Sequence, residues 1–175
     1  GNPIEHSLSP KLHNYWIKKN NINAVYDKKQ LNESDIEEII TEVKNEKIHG
    51  INVTVPFKKS VIPFLDQLTP LAKETQSVNT IYKENKNGVD VVVGDNTDVG
   101  GFKQSLEYIN YNVKNKKVFI LGAGGVVPSI LKALEKLEAA KVYISNRTKE
   151  KAKDLESYYK ISLGLETLDW GQSPD

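Results

Sequence analysis

The sequence predicts an α/β protein made of two lobes, and three observations carry that reading. "GINVTVPFKK" alternates like a half-buried strand, with Ile51, Val53 and Val55 on one face and Asn52 and Thr54 on the other. "KVFIL", much later, is a continuous apolar run of the kind buried in parallel sheets, and it opens a β-α-β-α series. The Asn- and Lys-rich stretch "NYNVKNKK" lies between them and marks the boundary. A chain of 175 residues suffices for one ordinary domain or for two small lobes.

The elements follow in order. "GNPIEHSLSP" reads as a turn handing over to a helix through Ser9 as N-cap and Pro10 at the first helical position, with Leu12, Tyr15 and Trp16 as its apolar stripe. A short extended piece over 24–26 comes next. Ile36, Ile39, Ile40 and Val43 then recur at helical spacing, predicting a helix over 32–47 with Asn32 as cap. The strand that starts at Gly50 should run to Pro56, followed by a helical turn around Ser60. Thr69 and Pro70 repeat the cap-plus-proline signal before "LAKETQ". "SVNTIYK" and "VDVVVG" flank Asn87 and Gly88, the strongest hairpin signal in the chain. "DNTDVGGF" leads into a helix on which Phe102, Leu106 and Ile109 share a face. After "KVFIL" come a glycine-rich turn, a helix to about Lys136, the strand "KVYIS" and a helix capped by Thr148.

Composition narrows the function. The 24 basic and 23 acidic side chains nearly cancel, so the electrostatic footprint of a nucleic-acid binder is missing, and partners should be small molecules. Without cysteine there is no disulfide framework and no thiolate nucleophile, which fits a reducing compartment. His6, His13 and His49 lack the spacing of a zinc motif, so no metal is expected. No apolar run approaches a membrane span, and the chain reads as soluble and cytoplasmic. With no methionine, a start at Gly1 and an end at "GQSPD", it also reads as an internal fragment.

"LGAGGVV" follows an apolar strand and opens a helix, the context that a dinucleotide-binding turn requires. Gly122 would make the tight turn, and Gly124 would let backbone amides approach a pyrophosphate at the positive end of the helix. Val127 stands at the third fingerprint position, where it should push strand and helix slightly apart. The second strand ends in "SNRT", with Arg147 where an NAD site would place a carboxylate. A guanidinium there suits a 2′-phosphate, so the cofactor is expected to be NADP. The bland alternatives are a purely structural glycine turn and a solvated Arg147 and Lys151.

Three polar clusters in the first lobe need a purpose. Ser7 and Ser9 at a helix N-terminus suit a carboxylate, although Ser9 as a simple cap is the commoner case. Asn52, Thr54, Asn79 and Asp98 lie on or just after strands, so a parallel or mixed sheet could bring them to one cleft, with Lys58 as the cation near it. Lys59 reads as a surface charge, and Asp95 has no evident role. Solvated polar residues on an edge strand are the alternative.

The ordered series "GNPIEHSLSP", "NVTVPFK", "SVNT", "DNTD", "GAGG" and "NRT" resembles the shikimate dehydrogenase family over nearly the whole chain. The resemblance implies an N-terminal α/β substrate-binding domain over 1–110 and a partial Rossmann-like NADP-binding domain over 111–175. It implies reversible NADPH-dependent reduction of 3-dehydroshikimate to shikimate. Ser7 and Ser9 would hold the substrate carboxylate, and Asn52, Thr54, Asn79 and Asp98 the ring hydroxyls. Lys58 and Asp98 would be the catalytic pair. Gly122, Ala123, Gly124, Gly125 and Val126 on the turn, with Asn146, Arg147, Thr148 and Lys151 after the second strand, would hold NADP. Such a protein would be a monomer or homodimer.

The chemistry of the residues agrees: a hydride delivered to a ketone builds charge on oxygen, which an ammonium stabilises and protonates. Family members continue past this chain's end, and their last strands and C-terminal helix, as well as their first strand, are missing from it. The isolated chain is therefore expected to be poorly active. A quinate or quinate/shikimate dehydrogenase is the near alternative. A non-catalytic nucleotide-binding regulator on the same fold is the distant one.

Overall fold

The computed structural model describes residues 1–174. Helix α1 (Ser9–Lys19) begins one residue earlier than its sequence suggests. Ser9 is its first residue, not its cap, because the Ser7 hydroxyl takes the Ser9 amide at 3.3 Å. None of its residues is buried, and Leu12, Tyr15 and Trp16 are exposed. Residues 24–26 form no strand: the Asn14 side-chain amide takes both backbone groups of Tyr26, at 2.7 and 2.9 Å.

A 3₁₀ turn precedes α2 (Ile36–Lys44), and the Asp35 carboxylate accepts from the Asn32 amide at 2.7 Å. Ile36, Ile39, Ile40 and Val43 are all buried, as their spacing predicts. The helix stops short of 47 because Glu46 adopts a left-handed conformation, φ 59°.

The first sheet contains β1 (Gly50–Asn52), β2 (Gln67–Leu68), β3 (Thr80–Lys86) and β4 (Val89–Asp95) in the order β1-β3-β4-β2. It is mixed: β3 runs antiparallel to β1 and β4, and β2 runs parallel to β4. Asn87 and Gly88, at φ 54° and 84°, make the two-residue turn between β3 and β4. The ladder of β1 ends at Asn52, four residues before Pro56, so Val55 leaves the sheet and is exposed instead of sharing the buried face of Val53. A single 3₁₀ turn, Ile62–Phe64, stands near the helical turn expected around Ser60. Between β2 and β3, α3 (Pro70–Thr75) is capped as predicted: Thr69 Oγ1 accepts from the Ala72 amide at 3.3 Å. α2, β3 and β4 close one core around Ile81, Val78 and Val92.

Helix α4 (Asp98–Tyr108) leaves the first sheet and packs on the second half of the chain. Phe102 and Leu106 join the second core, whereas Ile109 lies past the helix end and is exposed. That core gathers α5 (Val127–Lys136) and α6 (Lys149–Leu163) on a parallel sheet of β5 (Lys117–Leu121), β6 (Lys141–Ser145) and β7 (Glu166–Leu168). β6 is central and buried along Val142, Tyr143, Ile144 and Ser145. Among the described residues β5 has a neighbour on one side only, so "KVFIL" is half-buried and its Leu121 is exposed. Thr148 stands at the N-cap of α6, but its hydroxyl makes no capping bond.

Candidate functional site

The mixed sheet brings one end of three strands together. Antiparallel pairing sets Asn52, the last residue of β1, opposite Thr80, the first of β3, and sets Thr80 opposite Asp95, the last of β4. Asn79 thus reaches the site from just before a strand, not from the end of one. Its backbone continues the ladder on both sides: the Val53 amide donates to its carbonyl at 2.8 Å, and its own amide donates to the Asp95 carbonyl at 3.0 Å.

Lys58 is aimed at this end by its neighbours. Phe57 and Val61 are buried in the first core and fix the turn, Lys59 stays exposed, and the Lys58 carbonyl accepts from the Val78 amide at 2.8 Å. The Lys58 ammonium donates to Asp98 Oδ2 at 2.7 Å, and both side chains are largely withdrawn from solvent (13% and 22% exposed). Asp98 Oδ1 accepts from Asn79 Nδ2 at 2.9 Å, so each carboxylate oxygen has its own donor. Asp98 also sits in the first turn of α4, where the helix dipole favours a negative charge.

From Asp98 the polar contacts continue without a break. Asn79 Oδ1 accepts from the Thr80 hydroxyl at 3.1 Å and from the Thr97 amide at 2.9 Å. Asn52 Nδ2 lies 3.4 Å from Thr80 Oγ1, and Tyr26 Oη donates to Asn52 Oδ1 at 3.0 Å. Ser7, Ser9, Tyr26, Asn52 and Thr54 line a cavity of about 920 Å³ whose floor includes Ile36, Ile39 and Val53. Lys58, Asn79 and Asp98 are not on its wall; they join it through Thr80 and Asn52. Tyr26, Thr80 and Thr97 were not singled out in the sequence. Thr80 and Thr97 stand inside the quoted motifs "SVNT" and "DNTD", the one signal that could have found them.

The second half meets this end at a turn. Gly122 adopts φ 111° and its amide donates to the Ser145 carbonyl at 2.7 Å, so the chain reverses tightly after β5. Ala123 donates to Asn146 Oδ1 at 3.1 Å, and Asn146 Nδ2 donates to the Thr148 carbonyl at 2.7 Å, tying the two β-to-α turns together. Among the described residues the Gly124 and Gly125 amides find no acceptor, and both glycines face open space before α5. Val126 is exposed beside them, whereas Val127 is buried in the second core. Arg147 and Thr148 are exposed on the neighbouring turn and Lys151 in the first turn of α6, while the Lys149 ammonium is paired with Asp169. These residues fit a dinucleotide phosphate: free amides at a helix N-terminus, and a guanidinium without a competing carboxylate on its strand end.

Buried polar side chains hold the turn to the first sheet. Asn96, 1% exposed, reaches Thr75 Oγ1 at 3.0 Å, the Ser77 carbonyl at 2.8 Å and Ser129 Oγ on α5 at 2.8 Å. Ser77 Oγ in turn lies 3.4 Å from the Gly125 carbonyl. Ser77 is the residue before Val78, so the glycine turn and the Lys58 backbone meet the same short segment. Asp95 acquires a role as well: its Oδ1 accepts from the Thr69 hydroxyl at 2.5 Å and from the Asn96 amide at 2.8 Å. Among the described residues no group of three or more His, Asp or Glu could hold a metal, and no helix is long and apolar enough to cross a membrane.

Comparison with known proteins places this arrangement. Residues 1–81 match the family described as "Shikimate dehydrogenase substrate binding domain", and residues 104–169 match "Shikimate / quinate 5-dehydrogenase". The chain is 56% identical over its whole length to a shikimate dehydrogenase (NADP(+)) of Pelagibacter ubique and covers 63% of that protein. It is 42% identical to the corresponding protein of Aquifex aeolicus, over 93% of this chain and 59% of the relative. The crystal structure of Aquifex aeolicus shikimate dehydrogenase superposes with a TM-score of 0.83 over 95% of this chain and 59% of that one. A Thermus thermophilus shikimate 5-dehydrogenase, solved in complex with NADP(H) and shikimate, superposes with a TM-score of 0.82 at 28% identity, over 96% of this chain and 60% of that one. The chain thus spans about three fifths of the length of the curated relatives it matches.

Proposed function

The chain belongs to the shikimate dehydrogenase family, and on that premise we propose that the protein at the full length of its relatives reduces 3-dehydroshikimate to shikimate with NADPH, reversibly. The observation that carries the reading is the Lys58–Asp98 pair, a charge-assisted contact at a hydroxyl- and amide-lined sheet end that the glycine turn adjoins. In this reading residues 1–110 make up the substrate lobe and residues 111–175 the nucleotide lobe, with α4, at the end of the first, packing on the core of the second.

Ser7 and Ser9 at the start of α1 bind the substrate carboxylate. Asn52, Thr54, Asn79 and Asp98 bond the ring hydroxyls. Lys58 holds an acidic proton beside the ketone, and Asp98 orients it. Gly122, Ala123, Gly124, Gly125 and Val126, with Asn146, Arg147 and Thr148 on the neighbouring turn and Lys151 in the first turn of α6, would hold NADPH, which would supply the hydride to the ketone carbon and leave as NADP+. Lys58 gives its proton to the oxygen as the carbonyl pair moves there, and it regains one from water. By microscopic reversibility the oxidative direction returns the hydroxyl proton to Lys58.

The reading places the enzyme in the cytoplasm, as a monomer or homodimer; the lack of cysteine suits a reducing compartment. It is tested by following NADPH oxidation on addition of 3-dehydroshikimate. Turnover is the expected result, and its absence in a folded protein that still binds NADPH would overturn the reading in favour of a regulator. The family description that names quinate beside shikimate supports a second substrate, and comparison of steady-state rates with the two acids decides it.

A further inference from the structure

Tyr26 stands at the seam of the cradle described above, and the proposed mechanism does not use it. Its backbone is pinned by Asn14, and its ring stacks on His13 with centroids 4.2 Å apart and planes 7° from parallel. Two neighbours thus fix where the phenol oxygen lies. That oxygen donates to Asn52 Oδ1 at 3.0 Å. Burial raises the phenol above its ordinary pKa, against which a hydrogen bond with the Ser9 hydroxyl works, so the group remains a protonated donor through neutral pH.

A side-chain amide has one acceptor end and one donor end, and only its partners decide which faces where. We propose that Tyr26 is a positioning residue that sets the sense of the Asn52 amide, so that Asn52 presents N–H donors, not its oxygen, to a hydroxyl of the bound ring. With Oδ1 engaged by the phenol, Nδ2 is left beside Thr80, with a second hydrogen for a ligand oxygen. The inference rests on the shikimate reading and names one element of its substrate recognition.

The test is a double-substitution cycle on the full-length protein with Tyr26→Phe and Asn52→Ala. Phe keeps the ring on His13, and Asn52 is exposed at the end of β1, so neither change empties a core. Loss of one neutral hydrogen bond predicts that Tyr26→Phe raises KM for shikimate about fivefold and leaves kcat within about twofold. The double variant should match Asn52→Ala alone, because Tyr26 acts only through that amide. Additive effects, or an unchanged KM in Tyr26→Phe, would overturn the inference while leaving the enzyme reading intact. A parent protein without turnover would overturn the enzyme reading and this inference with it.

Discussion

Asn52, Asn79, Asp98 and Lys58, at the end of the first sheet, already hold partners within the protein, whereas the Gly124 and Gly125 amides, at the turn after β5, hold none among the described residues. The first arrangement fixes geometry in advance: each side chain is oriented by another before a ligand arrives. The second leaves donors waiting at the positive end of a helix, which suits an anion that brings its own acceptors. A hydroxyl-bearing ring, able to donate and accept, can exchange places with either kind of partner in the first region. A phosphate, which only accepts, fits the second.

Removing the ammonium should break the first region most severely. Lys58→Ala is expected to lower kcat by about 10²- to 10⁴-fold, the usual span for a lost general acid, with little change in KM. Steady-state kinetics check this, and unchanged turnover would remove Lys58 from the chemistry. Asn96→Ala attacks the joint between the regions. It strips the Ser129 hydroxyl and the Ser77 carbonyl of a buried partner, and should cost about 1–3 kcal/mol of stability in denaturant titration. Arg147→Ala sharpens the contrast from the other side. It should weaken NADPH binding by roughly tenfold or more while leaving NADH binding as it was, because only the 2′-phosphate needs the guanidinium. Equal losses for both would show a solvated arginine. Thr69→Ala, which removes the cap of α3 and the Asp95 contact, should cost about 1 kcal/mol, read as a small shift of the unfolding midpoint.

Local signals were legible in the sequence. The Thr69–Pro70 cap, the Asn87 and Gly88 turn, the apolar stripe of α2 and the tight turn at Gly122 each depend on residues adjacent in the chain, and each is where the pattern puts it. What was not legible depends on neighbours distant in the chain. "KVFIL" and "KVYIS" are both apolar strands, but among the described residues β6 has a strand on each side and β5 has one, so β6 is buried over 142–145 while β5 is not. Val55 continues the alternation of Ile51 and Val53, yet the ladder with β3 has ended before it, and alternation past a ladder buries nothing. Residues 24–26 carry a strand-like composition but meet a side chain, Asn14, where a strand partner would stand. In the site, the Lys58–Asp98 pair joins residues forty positions apart and was reached by motif, while Tyr26 and the buried reach of Asn96 to Ser129 carry no sequence mark of their own.

The most direct measurement is a crystal structure of the full-length protein with shikimate and NADP bound. One ring hydroxyl is expected within about 3.2 Å of both Lys58 Nζ and the Asp98 carboxylate, with the nicotinamide on the opposite side of that ring carbon. A ring bound away from Lys58, with the ammonium still engaged only by Asp98, would contradict it.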